Sequence, residues 1–408
     1  MKIVLLHYTA PPIVGGVESV LAHHASLMAK SGHDVTILAG RGESFDERVE
    51  VHIQPRLDSR HPEVMREKAL LDKGEYTSAF DKLRNEIKDD LLAEIKDSDV
   101  LIAHNVASLH KNLALTAAVQ ELYTLPGFSK LILWHHDLAW TTLRYRNEMH
   151  DGYPWNLLRA QWPGAQHVTV SEFRRQQLSQ LIGIPKEAIR VITNGVDLTT
   201  FYKLELQTVQ LVEQLNLIQA NPLILLPVRL TPRKNIELAL HVIAELRNIF
   251  PKVVLLVTGP EGPHNPTNAI YKEKLLNLRR NLNLEGAAHF LAELTPGFIP
   301  DAVIADFYRL ADALLFPSRE EGFGIPLIEA AVSSIPVFCA NLPVFHELGG
   351  EDVTYFELSA DPYSIARTIA DRLESEATSR WRRRAKHSYT WDSIYIMCIA
   401  PLLQEVKK

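Results

Sequence analysis

The chain has 408 residues, of which 46% are hydrophobic and 23% charged, and its 43 basic and 49 acidic side chains leave a formal net charge of −6. That length exceeds one ordinary core and predicts two large domains. The composition excludes disordered and collagen-like classes, and the acidic balance excludes wholesale electrostatic capture of nucleic acid.

Two cysteines, Cys339 and Cys398, provide no disulfide framework, so a reducing cytoplasm is the expected location. No stretch approaches the roughly 18 consecutive apolar residues of a membrane span. The opening run KIVLLHY (2–8) is too short for a signal peptide with its cleavage site and reads as a first strand. A helix follows from about Val17, with Val17, Val20, Leu21, Leu27 and Met28 on one face. DVTILAG (34–40), DVLIAHN (99–105), KLILWHHD (130–137), HVTVSEF (167–173) and RVITNG (190–195) repeat the strand pattern, with helical stretches such as 112–122 between them. The charge-rich segment 55–98 reads as a helical excursion. The series restarts at PLILLPVRL (222–230) and continues through VVLLVTGP (253–260), AAHFLAEL (287–294), ALLFPS (313–318) and IPVFCA (335–340). Apolar runs of this kind suit strands buried on both faces, and strand–helix alternation predicts two parallel, doubly wound sheets. The expected division is 1–200 and 201–387, with a connection near 198–221. A last helix over about 388–405 should pack back on the first domain through Trp391, Ile394, Tyr395, Cys398 and Leu402, and Pro401 should kink or end it.

Ligands of open parallel sheets bind beyond the carboxyl ends of the strands. Here those ends carry Thr9 to Gly16, His104-Asn105, His135-His136-Asp137, Ser171-Glu172, Asn194-Gly195, Arg229 to Lys234, Gly259 to Gly262 and Ser318 to Gly324. Gly15 and Gly16 precede the first helix, where missing side chains and a helix N-terminus favour an anion. An ordinary turn explains a glycine pair equally well, and no Lys-Ser/Thr follows as in a P-loop. Arg229 and Lys234 are two cations on a loop entering a helix, suited to a diphosphate and to charge developing on a departing one. Arg233 between them reads as a solvated basic turn. In PSREEGFGIPLIEA (317–330), Gly322 and Gly324 make a turn and Pro326 can open a helix. The N–H groups around 324–327 are then anion donors, flanked by the carboxylates of Glu321 and Glu329, which accept bonds from hydroxyls.

Glu321-GFGIPLI-Glu329 resembles the EX7E motif of the retaining GT-B glycosyltransferases of family 4, the "glycosyl transferases group 1". GGVE (15–18), VSE (170–172), NGVD (194–197), RLTPRKN (229–235) and TGPEG (258–262) resemble the other landmarks of that family, in its order. The resemblance implies a GT-B fold, two Rossmann-like domains facing a cleft, the second binding a nucleotide-diphosphate sugar. It implies that Arg229 and Lys234 contact the donor diphosphate, Glu321 the sugar hydroxyls and Glu329 the ribose. Backbone at Phe323, Gly324, Ile325, Pro326 and Leu327 would line sugar and phosphates, with Gly259 beside them, while Gly15 and Gly16 approach from the first domain. His136 matches the histidine beside the transferred sugar, with His135 as rival. The resemblance further implies retention of anomeric configuration, the leaving phosphate helping to deprotonate the acceptor, so that no protein nucleophile and no added cofactor are required.

The acceptor is not legible. Its expected surroundings are His104, Asn105, His135, Asp137, Tyr145 and Asn194, and the aromatic residues Trp140, Tyr145, Tyr153 and Trp155 suit either sugar stacking or loop packing. A small polar molecule and a glycan or lipid-linked acceptor both remain open as partners, and no nucleic acid is expected. The DXD string Asp97-Ser98-Asp99 reads as a strand start and not a metal site, and no zinc spacing occurs among 17 histidines. Arg380, Arg382, Arg383 and Arg384 around Trp381 read as a solvated helix face, with peripheral membrane contact as the alternative. A sugar-nucleotide epimerase, a phosphorylase and a non-catalytic sugar-nucleotide binding protein are the competing functions. A GXGXXG-type dehydrogenase is disfavoured because that string does not follow the first strand.

Overall fold

The computed structural model describes residues 1–407 except 129, 261–266, 296 and 298. The chain divides into two compact units: Met1–Gly195 together with the residues from Trp391 onward, and Val196–Thr390.

The first unit is built on seven strands: β1 (Lys2–Leu6), β2 (Asp34–Ala39), β3 (Val49–Ile53), β4 (Val100–His104), β5 (Lys130–His135), β6 (Gln166–Thr169) and β7 (Ile189–Val191). All pairings are parallel, in the order β3-β2-β1-β4-β5-β6-β7. The reversal between β1 and β4 is the topological switch point of a doubly wound sheet. Helices α1 (Gly16–Lys30), α2 (Pro62–Leu71), α3 (Ser78–Ile95), α4 (Leu113–Tyr123) and α5 (Glu172–Ile182) belong to this unit. Expected helical excursion 55–98 is α2 and α3. Thr77 caps α3 by accepting from the Phe80 amide at 3.2 Å, and Phe80, Leu83, Ile87, Leu91 and Ile95 bury one stripe. Asp99, at the start of β4, accepts from the Lys2 amide at 2.7 Å, which gives the DXD string a local structural use.

The second unit has six strands: β8 (Leu223–Leu226), β9 (Val254–Val257), β10 (Ala288–Phe290), β11 (Ala313–Phe316), β12 (Val337–Ala340) and β13 (Thr354–Phe356), all parallel, in the order β10-β9-β8-β11-β12-β13. Its helices are α6 (Leu198–Tyr202), α7 (Leu206–Gln214), α8 (Ile236–Leu246), α9 (Thr267–Asn281), α10 (Asp301–Leu310), α11 (Ile325–Val332), α12 (Pro343–Gly349), α13 (Pro362–Ser375) and α14 (Ala377–Ser388). Central strands β8, β9, β11 and β12 are buried at every position, as their unbroken apolar runs require.

Three sequence expectations need correction. The arginine run on α14 is a solvated face only in part: Arg380 and Arg384 are exposed beside Trp381, whereas Arg382 and Arg383 turn inward. Arg382 donates to the carbonyls of Arg309 and Ala311, Arg383 to that of Leu373, and Lys386 to that of Leu310 and to the Asp312 carboxylate. The last carbonyls of α10 have no intrahelical partner, and cations are the groups that satisfy a helix C-terminus. The closing helix is not one helix from 388. It is α-helical over Trp391–Ile394, π-helical over Tyr395–Ile399 and α-helical again over Ala400–Lys407. Pro401 lacks an N–H, and the wider π turn ahead of it absorbs the missing bond without ending the helix. This segment buries Trp391, Ile394, Tyr395, Ile399, Leu402 and Leu403 in one cluster with Ile3, Leu5, Val20 and Leu21. Finally, the edge strands β3 and β13 were not anticipated, because Glu50 and His52 interrupt the one and the other spans only three residues. Among the described residues no helix is long and apolar enough to cross a membrane.

Candidate functional site

The polar residues of the second unit gather where β8 and β11 end. Pro232–Lys234 forms a short 3-10 turn beyond β8, and Asn235 beside it takes a left-handed backbone (φ 52°) before α8 begins. The loop after β11 is tied to this turn twice: the Arg319 amide donates to the Arg233 carbonyl at 2.8 Å, and the Arg319 guanidinium donates to Asn235 Oδ1 at 2.8 Å. That pairing brings Glu321 onto Lys234, whose ammonium donates to the Glu321 carboxylate. Arg233, read from sequence as a solvated turn, also reaches Glu321, at 3.5 Å. A carboxylate beside two cations attracts the second as well as the first, which the order of residues alone did not reveal.

Lys234 is the most enclosed of these cations. Burial lowers its pKa, the Glu321 carboxylate opposes that, and the charges of Arg233 and Arg229 lower it further. Its ammonium lies 5.3 Å from the centre of the Phe316 ring. Arg229 is exposed, one turn of chain before Lys234. Lys234 and Arg233 therefore share one carboxylate while Arg229 adds its charge near Lys234, a surplus of positive charge suited to an anion with more than one charge.

Glu321 is followed by the turn that launches α11. Gly324 stands at φ 109°, and a Cβ there would lie 3.0 Å from the Phe345 ring, so both backbone angle and space require glycine. Pro326 sits in the first turn of α11 as expected. The set of free amides is smaller than expected, since Leu327 N–H is taken by the Gly324 carbonyl at 3.0 Å and Pro326 has none. Gly324 and Ile325 remain as donors at this helix start. Phe323 and Ile325 expose their side chains. Glu329 is exposed and held by the buried Tyr308, whose hydroxyl donates to Glu329 Oε2 at 2.6 Å. Burial, then that carboxylate, raises the Tyr308 pKa. Sequence reading missed Tyr308, which lies within the apolar pattern of α10. Gly259 has a steric reason of its own: a Cβ would lie 2.1 Å from the Val228 carbonyl oxygen, where two rim loops cross. The neighbouring Glu261 and Gly262 fall outside the described residues.

The first unit carries its polar groups at the same end of its sheet. Gly15 caps α1 with extended backbone and no side-chain bond, and the space beside Gly16 is open. Thr9 Oγ1 donates to Glu18 Oε1 at 2.5 Å, so a carboxylate already occupies the first turn of α1. His104 ends β4, and Asn105 after it adopts φ 59°. From there Asn105 Oδ1 accepts from the amides of His136 at 2.8 Å and Asp137 at 3.2 Å. Asn105 thus faces inward and fixes the backbone after β5, a structural use not anticipated for it. Adjacent residues of an extended chain point to opposite sides. His135 accordingly turns to His167 (3.1 Å, Nε2 to Nδ1), and His136 to His104 (3.0 Å, Nε2 to Nδ1). Burial lowers the pKa of His136 to about 3, with His7 adding to the effect, and lowers His135 and His104 well below the ordinary range. Asp137 pairs with Arg174 at 3.0 Å. Tyr145 packs edge-on against His110, with Lys111 and Arg144 each within 4.7 Å of its ring centre. Asn194 is exposed.

The family model "Glycosyl transferases group 1" matches residues 210–388, and "Glycosyltransferase Family 4" matches residues 14–200. Mannosylglucosylglycerate synthase of Petrotoga mobilis is 26% identical over 303 residues, 69% of this chain and 69% of that protein. The MMP alpha-(1->4)-mannosyltransferase of Mycolicibacterium hassiacum is 24% identical and aligns with 98% of this chain and 97% of its own. Among solved structures, sucrose-phosphate synthase of Thermosynechococcus elongatus aligns over 99% of this chain and 98% of its own, at 16% identity and a TM-score of 0.39.

Proposed function

Because this chain belongs to the GT-B glycosyltransferases of family 4, we propose that it transfers a hexosyl group of the gluco or manno type from a nucleotide-diphosphate sugar to an acceptor hydroxyl, with retention of configuration. The observation that carries this reading is the pairing of Lys234 and Arg233 with Glu321, with the charge of Arg229 close to Lys234, beside the start of α11. The cations and the amides of Gly324 and Ile325 suit the diphosphate, and Glu321 suits the sugar hydroxyls. Glu329, steadied by Tyr308, suits the ribose. That two curated relatives are named for mannosyl chemistry supports a hexose donor.

In the proposed reaction the bond between the anomeric carbon and the diphosphate oxygen breaks as the acceptor oxygen bonds to that carbon on the same face. The acceptor proton goes to the departing phosphate. Lys234 and Arg229 then act by stabilising negative charge that grows on the leaving group, where fixed charges in a low-dielectric site are most effective. His136 is neutral across the physiological range and serves as a hydrogen-bonding group toward the sugar.

The test is a thermal-shift screen over UDP-, GDP- and ADP-sugars, followed by incubation of the best donor with candidate acceptors and analysis of the products. An α-linked product from an α-linked donor supports the reading. An isomerised nucleotide sugar formed without acceptor points to an epimerase, and tight donor binding without turnover to a binding protein. A requirement for inorganic phosphate as co-substrate points to a phosphorylase.

A further inference from the structure

The end of β4 meets the end of β5 through two histidines whose proton positions the surrounding structure constrains. His104 and His136 are buried, and their contact runs from His104 Nδ1 to His136 Nε2 at 3.0 Å. Burial keeps both rings neutral. A neutral imidazole has one N–H, so one of these nitrogens donates and the other accepts.

If His136 donated, His104 would carry its proton on Nε2. That atom is buried and has no partner among the described residues. It would be an orphan donor on a ring stacked against Trp134, whose own Nε1–H is also buried and unpartnered. If His104 donates, its Nε2 is instead a bare lone pair, and interiors tolerate an unsatisfied acceptor better than an unsatisfied donor. Backbone contacts hold the geometry. The His104 carbonyl accepts from His7 Nδ1 at 2.9 Å, and Asn105 Oδ1 accepts from the His136 amide.

We propose that His104 is a positioning residue that donates from Nδ1 to His136 Nε2 and so holds His136 as its Nδ1–H tautomer, which faces a sugar hydroxyl as a hydrogen-bond donor and not as a base. Nδ1 of His136 makes no bond to any described residue, so its proton is available. The catalytic consequence rests on the sugar-transfer reading above; the tautomer itself does not.

The experiment uses the full chain with ring-15N histidine at neutral pH, the His136 resonances being assigned by their loss in His136→Gln. Long-range nitrogen–proton couplings report which ring nitrogen carries the proton. The wild type is expected to show His136 protonated on Nδ1. His104→Phe retains a ring to stack on Trp134 but removes the donor, and His136 should revert to Nε2–H. His104→Asn places an amide N–H near the position of Nδ1 and should restore the Nδ1–H form. In parallel, kcat should fall about tenfold in His104→Phe, the effect of one hydrogen bond, with little change in donor KM, and recover in His104→Asn. A wild-type His136 protonated on Nε2, or an Nδ1–H form that persists in His104→Phe, overturns the proposal. Should the phenylalanine variant not fold, the wild-type spectrum and the asparagine variant still decide. A wild type that transfers no sugar would overturn the functional reading and leave the tautomer measurement intact.

Discussion

Lys234 and Glu321 stand 87 positions apart in the chain and form an ion pair within the second unit, their side chains only 11% and 10% exposed. Neither keeps much water, so each is the other's main source of charge compensation. A bound diphosphate would draw the ammonium away from the carboxylate and free Glu321 to accept from a sugar. Lys234→Ala should therefore lower kcat by about 10²–10³-fold, roughly 2.7–4 kcal/mol, measured as nucleotide release at saturating donor and acceptor. Wild-type turnover in that variant would rule out the phosphate role. Glu321→Gln should also lose turnover, yet bind free nucleoside diphosphate at least as tightly as wild type by calorimetry, because the cations lose their competitor.

Tyr308 holds Glu329 from beneath by one hydrogen bond of 2.6 Å. Tyr308→Phe keeps the ring and removes that bond, at a stability loss of about 1 kcal/mol. If Glu329 grips the ribose, donor KM rises several-fold while kcat holds. A fall in kcat at constant KM would place Glu329 nearer the chemistry.

Gly324→Ala places a Cβ 3.0 Å from the Phe345 ring at a backbone angle of φ 109°. Backbone strain of this kind costs roughly 1–3 kcal/mol. The expected outcome is a lower thermal midpoint and weaker nucleotide binding, since the amides of Gly324 and Ile325 move together. Unchanged values for both would mean that the turn relaxes freely.

Acid should weaken the first unit through its buried histidines. His24 and His136 have pKa values lowered by burial to about 3, with nearby histidines contributing, against 6.5 in an unfolded chain. Between those values the unfolded state binds more protons, so stability is full above about pH 6.5 and falls as pH drops toward 3. Each such histidine contributes a slope of about 1.4 kcal/mol per pH unit in that window. Urea midpoints taken between pH 7 and 5 should fall steeply, and less steeply in His24→Phe. A flat profile would contradict the neutral assignment.

The alternation of strands and helices was legible because buried parallel strands leave continuous apolar runs, as in β8 and β11. Edge strands leave weaker traces: β3 mixes Glu50 and His52 with valines, so periodicity alone did not mark it. At the rim, Lys234 and Glu321 could be singled out by residue type and order, but not the direct bond between them, since only the pairing of β8 with β11 determines which loops meet. Tyr308 was hidden for the opposite reason. It reads as one more core residue of α10 until its hydroxyl is seen on Glu329. The arginines of α14 misled because a basic stripe looks the same in sequence whether water or the carbonyls of another helix receive it.

Gly195 lies against Trp391, where even a single added carbon would sit 2.9 Å from the indole and from the Trp391 amide, and His23 stacks on the same indole at 4.9 Å. Residues separated by the entire second unit thus complete one core. On a ribosome, which releases the chain from its N-terminus, the first unit emerges early but cannot seal itself until synthesis reaches Trp391 and beyond. The second unit can assemble while the first still waits with an unfinished wall. The half that begins the chain is therefore the later one to mature, and truncations near the C-terminus should harm the N-terminal half first.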